Sequence, residues 1–119
     1  MTNISKLDDI EIYTEALRLA GKIYSLSKNP KLKYEYSLLD QIKRASLSVA
    51  ANIAEGYGRN TKKDFAHFLS IANGSINETI AFLDFLKMNF GIDLDELKNE
   101  YHTLGKRTIS FRKYLQTNN

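Results

Sequence analysis

Few side chains in this 119-residue chain are of the kinds that make or break covalent bonds. It has no cysteine and only two histidines, His67 and His102. Neither has a second histidine or a cysteine three or four positions away, the spacing that puts two metal ligands on one helical face. Asp64-x-x-His67 matches half of the carboxylate–histidine pattern of di-metal bundles. The position that would complete the pattern before His102 is Asn99, which is not a ligand. Gly56-Tyr57-Gly58-Arg59-Asn60 is glycine-rich but lacks the preceding strand and downstream spacing of a phosphate loop. The expectation is a protein that is not an enzyme and holds no metal or cofactor.

What the chain does carry is positive charge, unevenly spread. The overall net charge is only +3, yet residues 28–63 are net +5 and 98–119 net +4, against −1 for 1–27 and −5 for 64–97. Two readings are open. The alternating blocks are either solvated faces and antiparallel helices of opposite charge, or parts of a basic patch for a polyanion. On the second reading the candidate nucleic-acid contacts are Arg44, Arg59, Lys62, Lys63, Lys106, Arg107 and Lys113. Arg59, Lys62 and Lys63 flank a helix start at Thr61, where free amides and the helix dipole favour an anion such as a backbone phosphate. Lys106 and Lys113 lie seven apart on one face, which equally suits basic stems lying beside an apolar seam. Tyr57 and other exposed tyrosines offer rings on which bases stack.

These residues must be held by helices. The pattern predicts a first helix from Asp8 to Ser27, with Ile10, Tyr13, Leu17, Ala20 and Tyr24 at three- and four-residue spacings. Asn29-Pro30 ends it, and a lysine-rich connector runs to Lys33. A second helix is expected from Ser37 to Glu55, with Gly56 as its C-cap. A third opens at Thr61 and continues to Asn89, with Phe65, Phe68, Leu69, Ala72, Ile76, Thr79, Leu83 and Leu86 as its stripe. Phe90-Gly91 ends it. The fourth opens at Asp93 with Glu96 at capping-box spacing. Its Leu94, Leu97, Tyr101, Leu104, Thr108, Phe111 and Leu115 repeat 3-4-3-4, the seam of a helix packing at the shallow angle of bundles. Four long helices with short connections and no strand alternation imply an all-α, antiparallel up-down-up-down four-helix bundle in a single domain spanning residues 1–119.

The second helix divides into stripes. Leu39, Ile42, Ser46, Val49 and Ile53 form an apolar face. Roughly opposite run Gln41, Arg44, Ser48, Asn52 and Glu55, with small Ala45, Ala50, Ala51 and Ala54 between. Serine and asparagine are mediocre helix formers, so Ser48 and Asn52 at mid-helix suggest hydrogen bonds across an interface rather than a simple solvent face. Asn73, Ser75, Asn77 and Glu78 of the third helix are the available partners. That interface lies either within the chain or between chains.

The runs Asp40-Gln41-Ile42-Lys43-Arg44-Ala45, Ser48-Val49-Ala50-Ala51-Asn52-Ile53-Ala54-Glu55-Gly56 and Gly58-Arg59 resemble the four-helix bundle proteins encoded within intervening sequences of bacterial 23S ribosomal RNA genes. That family also includes the accessory variability proteins of diversity-generating retroelements. Asp64-Phe65, Phe68-Leu69, Ile71-Ala72 and Gly74-Ser75, with Glu78, look like its second signature, so the resemblance spans essentially the whole chain. It implies a homopentameric assembly with a basic surface and, for the retroelement members, binding to nucleic acid and to a reverse transcriptase. Carried over by position, Arg44 and Arg59 match signature basic residues. Gln41, Ser48, Asn52, Glu55, Ser75 and Glu78 match polar ones, the expected oligomer or inter-helix contacts. Ala50 stands where many members have proline, implying a straighter helix. Asn73 stands where many have arginine, removing one basic contact.

No window approaches the roughly 18 apolar residues of a membrane span, and four acids among the first twenty residues argue against a leader. With no cysteine, the expected location is the cytoplasm. The functional expectation is a non-catalytic oligomer that engages RNA or DNA backbone through basic patches, as an accessory to a reverse transcriptase or an RNA process. The alternative is a structural or protein-interaction module without nucleic-acid binding.

Overall fold

Thr61 shows how directly local chemistry sets the helices. Its backbone is extended, and its hydroxyl accepts from the Asp64 amide at 3.1 Å, satisfying one of the free donors of the following helix. At the far end of that helix Gly91 turns left-handed at φ 64°, and its amide bonds the Lys87 carbonyl. In this computed structural model, which describes residue 7 and residues 10–117, four helices are built in this way: α1 Glu11–Tyr24, α2 Tyr36–Tyr57, α3 Lys62–Phe90 and α4 Asp95–Thr117. No strand occurs among the described residues.

The helices occupy the corners of a square in an envelope of 48 × 19 × 19 Å, with α1 and α3 each packed on both α2 and α4. Successive helices run antiparallel. Ser48 of α2 meets Ser75 of α3, Lys98 of α4 meets Asp84 of α3, and Glu11 of α1 meets Arg107 of α4. The chain is thus an all-α four-helix bundle. The expected faces of α2 and α4 are the buried ones: Leu39, Ile42, Ser46, Val49 and Ile53, and Leu97, Tyr101, Leu104, Thr108 and Leu115. Leu94 and Phe111 complete the α4 seam at its half-buried ends.

Several expectations change. In α1 Ile12, Ala16, Leu19, Ala20 and Ile23 are buried, as is Ile10 just before it, whereas Leu17 and Tyr24 are each 43% exposed. Of the expected stripe, Ile10 and Ala20 are enclosed and Tyr13 is half-buried, and the rest of the enclosed face comes from neighbouring positions. The expected start at Asp8 lies outside the described residues, and the helix tightens into 3-10 turns over Ser25–Lys28 and Pro30–Leu32. Ser37 does not cap α2, which begins at Tyr36 after Glu35 with no side-chain cap. Gly56 is not a C-cap either: α2 runs through it to Tyr57 and closes on Gly58 at φ −77°. At the start of α4, Asp93 accepts from the Asp95 amide at 3.0 Å, so a local turn replaces the reciprocal box with Glu96.

Candidate nucleic-acid interface

The short loop between α2 and α3 concentrates charge at one end of the bundle. Gly58 donates its amide to the Ala54 carbonyl at 3.2 Å, which closes α2, and Thr61 starts α3 three residues later. Arg59, Lys62 and Lys63 therefore lie within five positions of one another around the α3 N-terminus. Such a tight approach requires Gly56. A Cβ there would sit 2.8 Å from both Phe65 Cδ1 and Phe68 Cβ. Arg59 reaches back to Glu55 Oε1 at 2.6 Å while its guanidinium lies 4.7 Å from the Phe68 ring centre. Its charge is partly offset, and its position is held from two sides. Lys62 and Lys63 are exposed, as is Asp64 beside them.

The last turns of α4 lie along the first turns of α3. The Phe65 and Phe111 rings meet edge to face at 5.4 Å, and Arg112 Nη1 donates to Ser70 Oγ at 3.2 Å. Lys113, exposed, shares this end. Of the seven candidate cations, Arg59, Lys62, Lys63 and Lys113 are thus brought to one end, and the other three are not. Lys106, exposed, and Arg107 stand higher on α4, where Arg107 Nη2 bonds Glu11 of α1 at 2.7 Å. Arg44 is on another face, about 20 Å along α2 at 1.5 Å per residue, and bonds Asp40 at 2.9 Å.

The polar stripe of α2 divides in function. The hydroxyls of Ser48 and Ser75 meet at 2.9 Å across the α2–α3 contact, and Asn52 Nδ2 donates to the Ser48 carbonyl at 2.8 Å and its hydroxyl at 3.0 Å. These three residues knit two helices of one chain. Gln41 and Glu78 instead line an open groove with Arg44, Ala45, Ser48 and Phe82, and Glu55 serves Arg59.

Tyr57, a candidate stacking ring, is half-buried edge-on to Phe65 at 6.4 Å. The widely exposed tyrosines are Tyr34 and Tyr36, at the other end of the bundle. His67 is exposed beside Phe68 and His102 is exposed on α4, and no group of three or more metal-ligating side chains occurs among the described residues. No described helix is long and apolar enough to cross a membrane. A groove of about 450 Å³ between α3 and α4, lined by Lys63, Ala66, His67, Ser70, Leu115 and Gln116, is not foreseen from the sequence. Periodicity gave no signal for it, because it is formed by two helices whose relative register is set only by packing.

Comparison with known proteins agrees with this architecture. The chain is similar to a protein of unknown function from the S23 ribosomal protein family of Bacteroides thetaiotaomicron, solved as a crystal structure. The two share 29% identity at a TM-score of 0.75, with 86% of this chain and 98% of that one covered. No curated protein matches. The family model described as 23S rRNA-intervening sequence protein matches residues 8–110, nearly the whole bundle. With the Asn52-to-Arg59 and Asp64-to-Glu78 runs at the α2–α3 contact, the chain belongs to the 23S rRNA-intervening sequence protein family.

Proposed function

We propose that the protein is a non-catalytic oligomer that binds the backbone of RNA or DNA through the end of the bundle formed by the α2–α3 loop and the C-terminal turns of α4. The observation that carries this reading is the clustering of Arg59, Lys62, Lys63, Arg112 and Lys113 there, beside Glu55 and Asp64 among the described residues. These five cations and two carboxylates give an excess of three positive charges among the described residues there. Symmetric assembly repeats that excess, and backbone affinity scales with the number of phosphates neutralised. Assembly itself is supported by Leu17 and Tyr24 of α1 and Leu47 of α2, apolar side chains left 41–43% exposed on neighbouring helices. Such a protein acts as an accessory, presenting nucleic acid to an enzyme such as a reverse transcriptase or to an RNA-processing step.

A second reading is favoured by the pairing of Arg44, Arg59 and Arg107 with carboxylates of the same chain. Those charges are partly spent, as expected of a structural or protein-interaction module. Fluorescence anisotropy separates the two, using structured RNA, duplex DNA and single-stranded DNA with wild type and an Arg59→Ala, Lys62→Ala, Lys63→Ala variant. For about three phosphate contacts, affinity falls roughly twenty- to fortyfold between about 50 and 200 mM salt. The triple variant loses most of both the affinity and the salt slope. Absence of binding to all three at low salt overturns the first reading.

A further inference from the structure

We infer that the α3–α4 groove is a seat for a single phosphate group, with Arg112 as its anchor and Lys63, Ser70 and His67 around it. The inference rests on the nucleic-acid reading, and it names the site at which a backbone phosphate is gripped rather than merely attracted.

The chain has five arginines, and the structure treats one of them differently. Arg18 bonds Glu15 and Glu100, Arg44 bonds Asp40, Arg59 bonds Glu55 and Arg107 bonds Glu11. Arg112 has no carboxylate partner among the described residues. Its Nη1 donates to the neutral Ser70 hydroxyl at 3.2 Å, and its Nε is enclosed without an acceptor. A guanidinium held by a hydroxyl keeps its full charge for an external anion, whereas one locked to a carboxylate has surrendered most of it. Half-burial and the Ser70 contact also restrict its rotamers, so a ligand pays little ordering cost.

Ser70 joins the arginine to the groove of about 450 Å³, whose lining contains Lys63 and His67 and no acidic side chain. Lys63, His67 and Ser70 line the groove from α3, which begins one residue before Lys63, and Arg112 of α4 stands beside it through its bond to Ser70. Planar N–H donors, a hydroxyl and an ammonium are the donor set suited to a phosphate with several acceptor oxygens. The openness of the groove suits an internal phosphate of a chain, which must enter and leave from the side.

Two single-charge deletions test this. Arg112→Gln removes the unspent charge, and Arg107→Gln removes an equal charge already paired with Glu11. Inorganic phosphate, with sulfate as a comparison, is titrated while NMR follows the Arg112 Hε signal and the Ser70 amide. The nucleic-acid anisotropy assay is run in parallel. We expect saturable phosphate-induced shifts at Ser70 and Arg112 in wild type, and none in Arg112→Gln. For nucleic acid, Arg112→Gln weakens binding about tenfold, as for loss of one charge-assisted contact, and Arg107→Gln less than about threefold by the same scale. If both variants weaken binding equally, only a diffuse field acts and the seat is overturned. If nucleic acid binds wild type and Arg112→Gln alike, the seat is again overturned while the broader reading stands. If phosphate shifts the groove but no nucleic acid binds, the seat stands and the nucleic-acid reading falls.

Discussion

Tyr101 is fully buried in the α4 seam, yet its hydroxyl has no hydrogen-bond partner. The ring contributes packing area while the unpaired hydroxyl costs on the order of 1–3 kcal/mol. Tyr101→Phe should therefore leave urea stability unchanged or raise it by about 1 kcal/mol. Burial also pushes the phenol's ionisation upward, with a smaller push from Glu100. A folded pKa above the unfolded value means that stability is complete below about pH 10 and declines as the pH rises past it. The phenylalanine variant should thus resist alkaline unfolding better than wild type, and an identical alkaline midpoint would refute the assignment. Ser48 gives the opposite case. Ser48→Ala removes the partner of Ser75 and one of the two acceptors of Asn52, which keeps the residue-48 carbonyl, a loss of about 1 kcal/mol by urea denaturation.

Helix contacts make two glycines behave in opposite ways. Gly74 lies in the interior of α3 with nothing within 4 Å of a built Cβ. Gly74→Ala should stabilise the protein by about 0.5–1 kcal/mol through the backbone entropy of the unfolded chain. Gly56→Ala gains the same helix preference but drives a methyl group into Phe65 and Phe68, and should cost a net 1–3 kcal/mol or so. Thermal melts of the two variants should move in opposite directions. The contact of α1 with α4 relies on Glu100, which is held below the usual carboxylate range by Lys22 and then Arg18. A depressed folded pKa contributes stability above the unfolded value of 4.5 and loses it as pH falls. Glu100→Gln should be less stable than wild type at pH 7, and the gap should close in acid. A gap independent of pH would mean that packing, not charge, holds these helices.

At the scale of the molecule, the charge blocks serve two ends. Arg18 and Lys22 with Glu100, Arg107 with Glu11, and Lys98 with Asp84 join antiparallel helices of opposite sign. Arg59, Lys62 and Lys63 stand instead at the α2–α3 loop, with Arg112 and Lys113 near them on the last turns of α4. Leu17 and Tyr24 of α1 and Leu47 of α2 belong to this scale too, since each stays 41–43% exposed although Lys43 lies over the Tyr24 ring. If they meet a second copy, Leu17→Lys with Leu47→Lys should convert an oligomer into a helical monomer, read by light scattering and circular dichroism. A wild-type protein that is monomeric at its highest soluble concentration would remove the need for that interface.

Local rules determined the four helices, the Thr61 and Gly91 caps, the buried faces of α2 and α4, and the signature runs that carry the family. Each depends on residues within a turn or two of one another, so a linear chain already contains it. Packing decided the rest. Spacing in α1 allows more than one apolar stripe, and the placement of α2 and α4 encloses Ile12, Ala16, Leu19, Ala20 and Ile23 while leaving Leu17 and Tyr24 partly exposed. Gly56 looks like a helix end until Phe65 and Phe68 arrive from α3. The arginines are alike in sequence, and their difference arises from partners as distant as Glu11 is from Arg107. Which cation keeps its charge depends on the register between helices, and periodicity within a helix carries no information about that register.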